Sequence, residues 1–473
     1  MRLVPTMLAA VLATTLAAAQ AATPANTTIS PASVKSAEAL RDKAMNDDTG
    51  YKIVESLTTE VGARMAGSEA DARAVAWAVA KFKALGYDKV WTEPVTFPKW
   101  ERKSEHGEVL GAHAQKLALT ALGGSPGGTV EGEIVRFGDL ESLQKAAPGS
   151  LKGKIAFIDV PMERAKDGSG YGMGSRIRGA GPSAAIKAGA SGYLMRSAGT
   201  DMHRNPHTGI TRFEDGLTPI PSAALAGPDA DQLSRLVALG KPVSVKLALD
   251  CGWTGTYTSA NVIGEMRGRS KPDEVVVIGG HLDSWDLGTG AIDDGAGVAI
   301  AMGAGKLIGD MKQRPARTIR VVAFANEEQG LFGGRAYAEK HGPDVRKHQI
   351  GAESDYGPGR IYAFSTGAPE RALRAVKQIA DVLAPIGIAY PPGEGGPGPD
   401  VSPFAANGLA WGALRQDGTD YFDYHHTPDD TLDKIDPKAL AQNVAAYAVF
   451  AYMAADANGD FGSEAKKVTP PRE

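Results

Sequence analysis

Acidic residues and histidines follow each strand that is predicted in the second half of this sequence. The buried run Val275–Gly279 (VVVIG) is typical of a strand in a parallel sheet. Thr318–Ala325 and Gln349–Ala352 are predicted strands of the same sheet. The acids and imidazoles that follow these strands, or stand in loops nearby, are His281, Asp283, Asp293, Asp294, Glu327, Glu328, Glu353, Asp355, His425 and His426. Ligands bind beyond the carboxyl ends of strands in such sheets, so these side chains are expected to share one site.

The available side chains limit the chemistry of that site. The chain has one cysteine, Cys251, and nine histidines, which excludes a metal site built from several thiolates. A pair of divalent cations with nitrogen and oxygen ligands needs about two histidines and three carboxylates, one of them bridging. A nearby carboxylate that is not a ligand can then act as the general base. The adjacent Glu327 and Glu328 suit these two roles, because neighbouring residues past a strand end point in different directions.

The pattern of strands and helices predicts the fold that positions these residues. After about residue 259, predicted strands alternate with helices, the last of which is Lys438–Ala454. This alternation predicts an α/β fold with a mixed, mainly parallel sheet sandwiched between helices. Earlier in the chain, Ala70–Leu85 has helical spacing and Val90–Phe97 alternates like a strand. Short β segments separated by glycine-rich turns make 111–250 typical of a smaller, β-rich inserted domain.

The two ends of the chain differ from its middle. In residues 1–21, a positive charge at Arg2 precedes the apolar run Leu8–Ala19 and a small-residue cleavage pattern. These features predict a secretory signal peptide, with an uncleaved anchor or a buried N-terminal helix as the alternatives. Residues 22–35 are expected to form a loose leader, and 462–473 a frayed tail. No later run of about 20 apolar residues follows, so no membrane association is expected after cleavage.

The residues singled out above, together with several others, resemble the co-catalytic zinc exopeptidases of metallopeptidase family 28. Each motif alone is weak, but their order and spacing extend the resemblance over nearly all of the mature chain. The motifs are Pro98-Lys99-Trp100-Glu101-Arg102, Pro206-His207-Thr208-Gly209, Gly280-His281-Leu282-Asp283-Ser284-Trp285-Asp286, Asp293-Asp294-Gly295, Glu327-Glu328-Gln329-Gly330, Glu353-Ser354-Asp355 and His425-His426.

The resemblance implies a site with two zinc ions per chain. His281 and Asp355 would bind one ion, and Glu328 and His426 would bind the other. Asp293 would bridge them, as the first residue of the Asp-Asp pair does in the family.

Two further roles, and the choice between adjacent histidines, also come from the resemblance. Glu327 would be the general base, and Asp283 would orient the imidazole of His281 from outside the metal shell. The family places a histidine ligand four residues before the Asp of an Asp-Thr pair. Asp430 and Thr431 form that pair here, which selects His426 rather than its neighbour.

The resemblance also implies how the chain is divided. The catalytic domain would comprise 36–110 and 251–461. The insert at 111–250 would correspond to the protease-associated domain that relatives carry. The resemblance also leads us to expect a homodimer.

The function expected from these residues is an exported zinc exopeptidase, periplasmic or secreted, whose partner is a peptide substrate. It would hydrolyse dipeptides or short peptides with a free N-terminus. The alternatives are an amidohydrolase or a single-zinc glutaminyl cyclase on the same scaffold, and a non-enzymatic binding module. Lys and Arg number 51 against 55 Asp and Glu, a formal net charge of −4. This near-balance argues against a polybasic nucleic-acid binder.

Overall fold

The computed structural model describes residues 26–393 and 395–464. The α-helices are α1 Pro31–Ala44, α2 Thr49–Glu60, α3 Glu69–Ala84, α4 Leu140–Gln144, α5 Tyr171–Lys187, α6 Gly227–Ala238, α7 Ala296–Gly309, α8 Phe332–His341, α9 Leu373–Leu383, α10 Ser402–Ala406, α11 Tyr421–Tyr424 and α12 Pro437–Asp456. The strands are β1 Lys89–Val109, β2 Gln115–Lys116, β3 Leu119–Ala121, β4 Gly128–Phe137, β5 Ile155–Ile158, β6 Gly192–Arg196, β7 Ser222–Leu225, β8 Ser244–Met266, β9 Lys271–His281, β10 Arg317–Phe324, β11 His348–Glu353, β12 Ile361–Thr366 and β13 Gly412–Gln416.

Three parallel strands form the part of the sheet that carries the predicted site residues. The order is β11-β9-β10, with β9 parallel to both neighbours, and β8 then pairs antiparallel with β10. Apolar side chains of α7 and α12 pack against these strands in one buried cluster. A second cluster, which includes Tyr337 of α8 and Phe404 of α10, contains other side chains of β9 and β10. The predicted α/β fold, a mixed sheet between helices, is confirmed.

The strands β5, β6 and β7 continue the same sheet on the far side of β8. β4 pairs antiparallel with β8 and parallel with β5, and the order then runs β5-β6-β7-β3. These strands and α5 enclose a separate apolar cluster, which includes Ala156 and Ile158 of β5. The antiparallel strands β1 and β8, 21 and 23 residues long, run through both parts. The expected boundary at residue 250 therefore falls inside β8.

Regular secondary structure begins earlier in the chain than the sequence predicts. α1 begins at Pro31, inside the segment expected to be a loose leader. Ser30 caps this helix by accepting a hydrogen bond from the Ser33 amide at 3.1 Å, and a proline at the first helical position suits a helix start. Thr28 pairs with Asn458 close to the end of α12.

The predicted signal peptide, residues 1–21, lies outside the described residues, as do residues 465–473 of the predicted tail. Within the part of the chain that is described, no helix is both long and apolar enough to cross a bilayer.

Candidate metal centre

The carboxyl ends of β9, β10 and β11 meet at one edge of the sheet and carry most of the predicted site residues. His281 is the last residue of β9, and Asp355 follows β11 by two residues. Glu327 and Glu328 follow β10 after Asn326, which has a left-handed φ of 50°. Parallel pairing brings these positions together because all three strands end at the same edge.

Asp293 and His426 reach the same place from connecting segments. Asp293 lies in an irregular turn, Ala291–Gly295, that leads into α7. His426 follows α11 and has a φ of 62°, an uncommon value for a residue other than glycine. Asp293, His281 and His426 are all buried.

One carboxylate lies between two imidazoles at the centre of the site. Oδ1 of Asp293 is 2.9 Å from Nε2 of His281, and Oδ2 of Asp293 is 3.2 Å from Nε2 of His426. Oδ1 of Asp355 is 3.5 Å from Nε2 of His281. Oε2 of Glu328 is 2.9 Å from Nε2 of His426. The structure thus brings together all five residues expected to bind metal, with Asp293 between the two pairs.

The other ring nitrogen of each histidine contacts a backbone carbonyl. Nδ1 of His281 is 3.1 Å from the carbonyl oxygen of Asp283, and Nδ1 of His426 is 3.1 Å from that of Thr208. A carbonyl oxygen can only accept, so Nδ1 carries the proton in both rings. In each neutral ring the Nε2 lone pair then faces carboxylate oxygens, which are also acceptors.

This arrangement fits divalent cations bound between the Nε2 atoms and the carboxylates. Two ligand atoms about 2.0–2.1 Å from one tetrahedral zinc lie about 3.3 Å apart, similar to the 2.9–3.5 Å separations observed. Oε1 of Glu328 is buried without a hydrogen-bond partner, as a further ligand atom would be. Nitrogen and oxygen donors of this kind suit zinc.

The charges of the cluster shift the pKa values of its members in opposite directions. Burial lowers the pKa of His281, but the charge of Asp355 and contacts with Asp283 and Asp293 outweigh it and hold that pKa well above its usual value. Burial likewise raises the pKa of Asp293, but its contacts with His281 and His426 hold that pKa well below the usual range. The ion-free cluster therefore favours bound protons where cations would bind.

Glu327 lines the same cleft and forms no hydrogen bond or ion pair with His281 or His426. The cleft has a volume of about 450 Å³ and also contains Asp293, Glu328 and Asp355. Burial raises the pKa of the Glu327 carboxyl well above its usual value, and the charges of Asp355 and Glu328 act in the same direction. This environment suits a carboxylate that takes up a proton during a reaction.

Asp283 lies behind the site and contacts more than the predicted imidazole. Its carboxylate accepts hydrogen bonds from the backbone amides of Glu327 at 3.0 Å and Glu328 at 3.4 Å. Its Oδ1 is 3.6 Å from Nδ1 of His281, longer than a hydrogen bond, whereas its carbonyl oxygen is at 3.1 Å. Asp283 therefore positions the two glutamates through its side chain and His281 through its backbone.

His425 is close to the cluster but lacks the contact that orients the other two rings. Its Nε2 is 3.4 Å from Oδ2 of Asp293, and its ring stacks on His426 with centroids 3.5 Å apart. Its Nδ1 is buried without a partner. Ligating histidines normally donate their other N–H to an acceptor, so the geometry favours His426.

Two residues that were not among the predicted site residues hold the loop that carries Asp293. Arg64 is fully buried and donates to the carbonyl oxygens of Thr289 at 2.7 Å and Gly290 at 2.9 Å, in the loop before Asp293. Asp430 accepts from the backbone amides of Ile292 at 2.6 Å and Asp293 at 3.2 Å. Asp430 could be found from its place in the Asp-Thr pair, but nothing in the sequence distinguishes Arg64.

The segment His207–Thr208, which lies between β6 and β7, holds the two adjacent histidines in place. The Thr208 amide donates to the carbonyl oxygen of His426 at 3.0 Å, and Nδ1 of His207 donates to that of His425 at 2.7 Å. Nε2 of His207 is 2.8 Å from Oδ1 of Asp201. The motif around His207 marked this segment in the sequence, but its contacts could not be predicted.

Comparison with known proteins identifies the family. A family model described as peptidase family M28 matches residues 261–451. Carboxypeptidase Q of Mus musculus is 32% identical over 411 residues, which cover 86% of this chain and 85% of that protein. The crystal structure of a peptidase M28 precursor from Shewanella amazonensis SB2B is 49% identical, with a TM-score of 0.88 over 93% of this chain and 99% of its own.

A more distant structure shares the fold. BSAP, a zinc aminopeptidase from Bacillus subtilis, is 19% identical and has a TM-score of 0.62 over 85% of this chain and 94% of its own. The predicted resemblance and the prediction of a metallopeptidase are confirmed by the relatives of higher identity. The chain belongs to peptidase family M28.

Proposed function

We propose that this protein is an exported exopeptidase with two zinc ions, which hydrolyses dipeptides or short peptides with a free N-terminus. The position of Asp293 is the observation that carries this proposal. One carboxylate lies between two imidazoles whose Nε2 lone pairs face acceptors. His281 and Asp355 would hold one ion, His426 and Glu328 the other, and Asp293 would hold both.

When bound, such ions would lower the pKa of a water molecule and polarise a substrate carbonyl. Glu327 takes the proton from the attacking water while the water oxygen forms a bond to the scissile carbon. The same carboxyl then gives that proton to the amine nitrogen as the C–N bond breaks. Glu327 lies in the same cleft as Asp293, Glu328 and Asp355, which supports both proton transfers by this one carboxyl.

The preference for a free N-terminus is supported by the acidic lining of the cleft. Asp293, Glu327, Glu328 and Asp355 all line it, and a protonated α-amine is attracted by such a surface. The names of the relatives, carboxypeptidase Q and zinc aminopeptidase, are those of exopeptidases and so support this class. Export is supported by the pattern of residues 1–21.

The variant Glu327→Gln tests the proposal. We expect it to retain the zinc content of the wild type and to lose about 10²- to 10⁴-fold in kcat on a dipeptide, the usual contribution of a general base. Glu339→Gln, which changes an exposed acid in α8, should behave like the wild type. Zinc is measured by elemental analysis, and turnover by release of free amino acid.

Near-normal turnover in Glu327→Gln would remove Glu327 from the role of base. Equal cleavage of a dipeptide and its N-acetylated form by the wild type would contradict an exopeptidase that needs a free amine, and would favour an amidohydrolase.

A further inference from the structure

The cleft at the metal centre has a basic rim. The segment between β6 and β7 contributes Arg212, and α5 contributes Arg178, to the same cleft that contains Asp293, Glu327 and Glu328. The two guanidinium groups lie beside several acids, and neither has a role in the proposed reaction. Their presence in the cleft therefore requires an explanation.

The two arginines differ in what their guanidinium groups bind. Arg178 is buried, and its Nε donates to the carbonyl oxygen of Ile210 at 3.2 Å while its Nη2 donates to the Tyr171 hydroxyl at 2.8 Å. Arg212 is exposed, and within residues 26–393 and 395–464 its side chain forms no hydrogen bond or ion pair. The donors of Arg178 thus serve the fold, whereas those of Arg212 are available to a ligand.

The backbone that carries Arg212 is held firmly. The neighbouring Thr211 is buried, its amide donates to the carbonyl oxygen of Gly123 at 2.7 Å, and its hydroxyl donates to that of Arg178 at 2.7 Å. The amide of Glu214 donates to the Ser183 hydroxyl at 3.0 Å. Arg212 is therefore presented to the cleft from a fixed support, which lowers the entropy cost of binding through it.

The guanidinium group lies against the turn that begins at Glu327. The Gly330 amide donates to the carbonyl oxygen of Glu327 at 2.9 Å, and the ends of such a turn lie within about 7 Å. A Cβ atom at Gly330 would lie only 2.8 Å from Nη2 of Arg212. The cation of Arg212 is thus one turn away from the proposed general base.

We propose that Arg212 binds the α-carboxylate of the departing residue and so gives the enzyme a preference for dipeptides, an inference that rests on the function proposed above. In a dipeptide, one residue separates the scissile bond from the free carboxylate. Consecutive Cα atoms are 3.8 Å apart, so this separation is comparable with the span of the turn from Glu327 to Gly330. A guanidinium and a carboxylate form paired, charge-assisted hydrogen bonds. Without such a cation, the acids of the cleft would repel a free C-terminus.

The test compares kcat/KM for Leu-Ala, Leu-Ala-amide and Leu-Asp-amide with the zinc-loaded enzyme. We expect the wild type to prefer Leu-Ala over Leu-Ala-amide by about tenfold or more, the usual effect of a charge-assisted hydrogen bond. Arg212→Ala should bring this ratio close to one, mainly through KM, and Arg212→Glu should reverse it. Arg176→Ala removes an exposed arginine of α5 that does not line this cleft, and should keep the wild-type ratio.

Three outcomes would overturn the inference. A wild-type ratio near one, or an unchanged ratio in Arg212→Ala, would show that Arg212 does not read the C-terminus, while the proposed exopeptidase function would stand. Equal cleavage of Leu-Asp-amide and Leu-Ala would assign the guanidinium to an acidic side chain instead. Failure of the zinc-loaded wild type to cleave any of the three would contradict the proposed function as well. Because Arg212 is exposed, its variants are expected to fold, which melting temperatures check.

Discussion

The two ends of strand β11 place titratable groups in opposite surroundings. His348 begins the strand, and Asp355 lies two residues beyond its end, beside His281 and Asp293. Both ends are rich in acids and imidazoles, yet the second ring nitrogen of the histidine meets donors at the amino end and acceptors at the carboxyl end.

At the amino end, every ring nitrogen of His348 has a partner of the right kind. Nδ1 donates to the carbonyl oxygen of Asp344 at 3.1 Å, so Nε2 is an acceptor. Nε2 then accepts from the Tyr337 hydroxyl at 3.0 Å and from Nη1 of Arg320 at 3.3 Å. Burial and the charge of Arg320 lower the pKa of His348 to about 3, so this histidine is neutral and structural.

At the carboxyl end, the Nε2 atoms of His281 and His426 face acceptors instead of donors. An accepting nitrogen beside an accepting oxygen is unfavourable unless a proton or a metal cation lies between them. The comparison teaches that the partner of the second ring nitrogen, more than burial or the presence of nearby acids, separates the proposed metal ligands from a structural histidine.

The largest expected effect comes from the adjacent histidines at the carboxyl end. His426→Ala removes a proposed ligand and should lose bound zinc, with activity reduced by more than the about 10- to 100-fold that follows loss of a supporting group. His425→Ala is the matched control, since Nδ1 of His425 has no orienting partner, and it should keep both ions. Elemental analysis and dipeptide turnover measure both variants. Retained zinc in His426→Ala, with loss in His425→Ala, would reverse the assignment.

A smaller effect is expected from the contact that fixes these histidines. His207→Leu removes the donor to the carbonyl oxygen of His425 and should weaken zinc affinity about 10- to 100-fold. His203→Leu serves as the control, because it changes an exposed histidine in the same connection between β6 and β7. Competition with a chelator measures the affinity. If His207→Leu and the wild type have equal affinities, this segment does not support the metal centre.

The smallest effect is expected at the amino end of β11. His348 has a pKa of about 3 when folded and about 6.5 when unfolded, so the unfolded state binds more protons between these values. Its contribution to the free energy of unfolding is complete above pH 6.5 and falls by about 2 kcal/mol between pH 7 and pH 5. His348→Gln should lose this pH dependence without losing zinc, whereas His113→Gln, at an exposed site, should keep it. Urea unfolding at both pH values measures the difference; equal slopes in His348→Gln and the wild type would contradict it.

Sequence reasoning could predict the parts of the site that depend on residue type and strand order. His281, Glu327, Glu328 and Asp355 stand at the end of a buried strand or within four residues after it, and parallel pairing then brings them together. The core helices were also predictable, because α7 and α12 are apolar over most of their length.

The remaining contacts depend on groups that have no signature in the sequence. The acceptor for His426 is a backbone carbonyl, 218 residues away at Thr208. Arg64 likewise acts on backbone oxygens more than 200 residues away. Any residue type offers a carbonyl, so only the folded chain shows which one is used. The full length of β1 was missed because its polar outer half pairs with β8 over a long distance in sequence.

Zinc titration of the metal-free protein tests the two-ion site most directly. The protein is stripped with a chelator, and bound zinc and dipeptide turnover are followed as zinc is added back, with Asp293→Ala as the matched variant. We predict that the wild type binds two zinc ions per chain and reaches full activity only with the second, and that Asp293→Ala binds weakly and stays inactive. Full activity with one ion per chain, or two tightly bound ions in Asp293→Ala, would contradict a site bridged by Asp293.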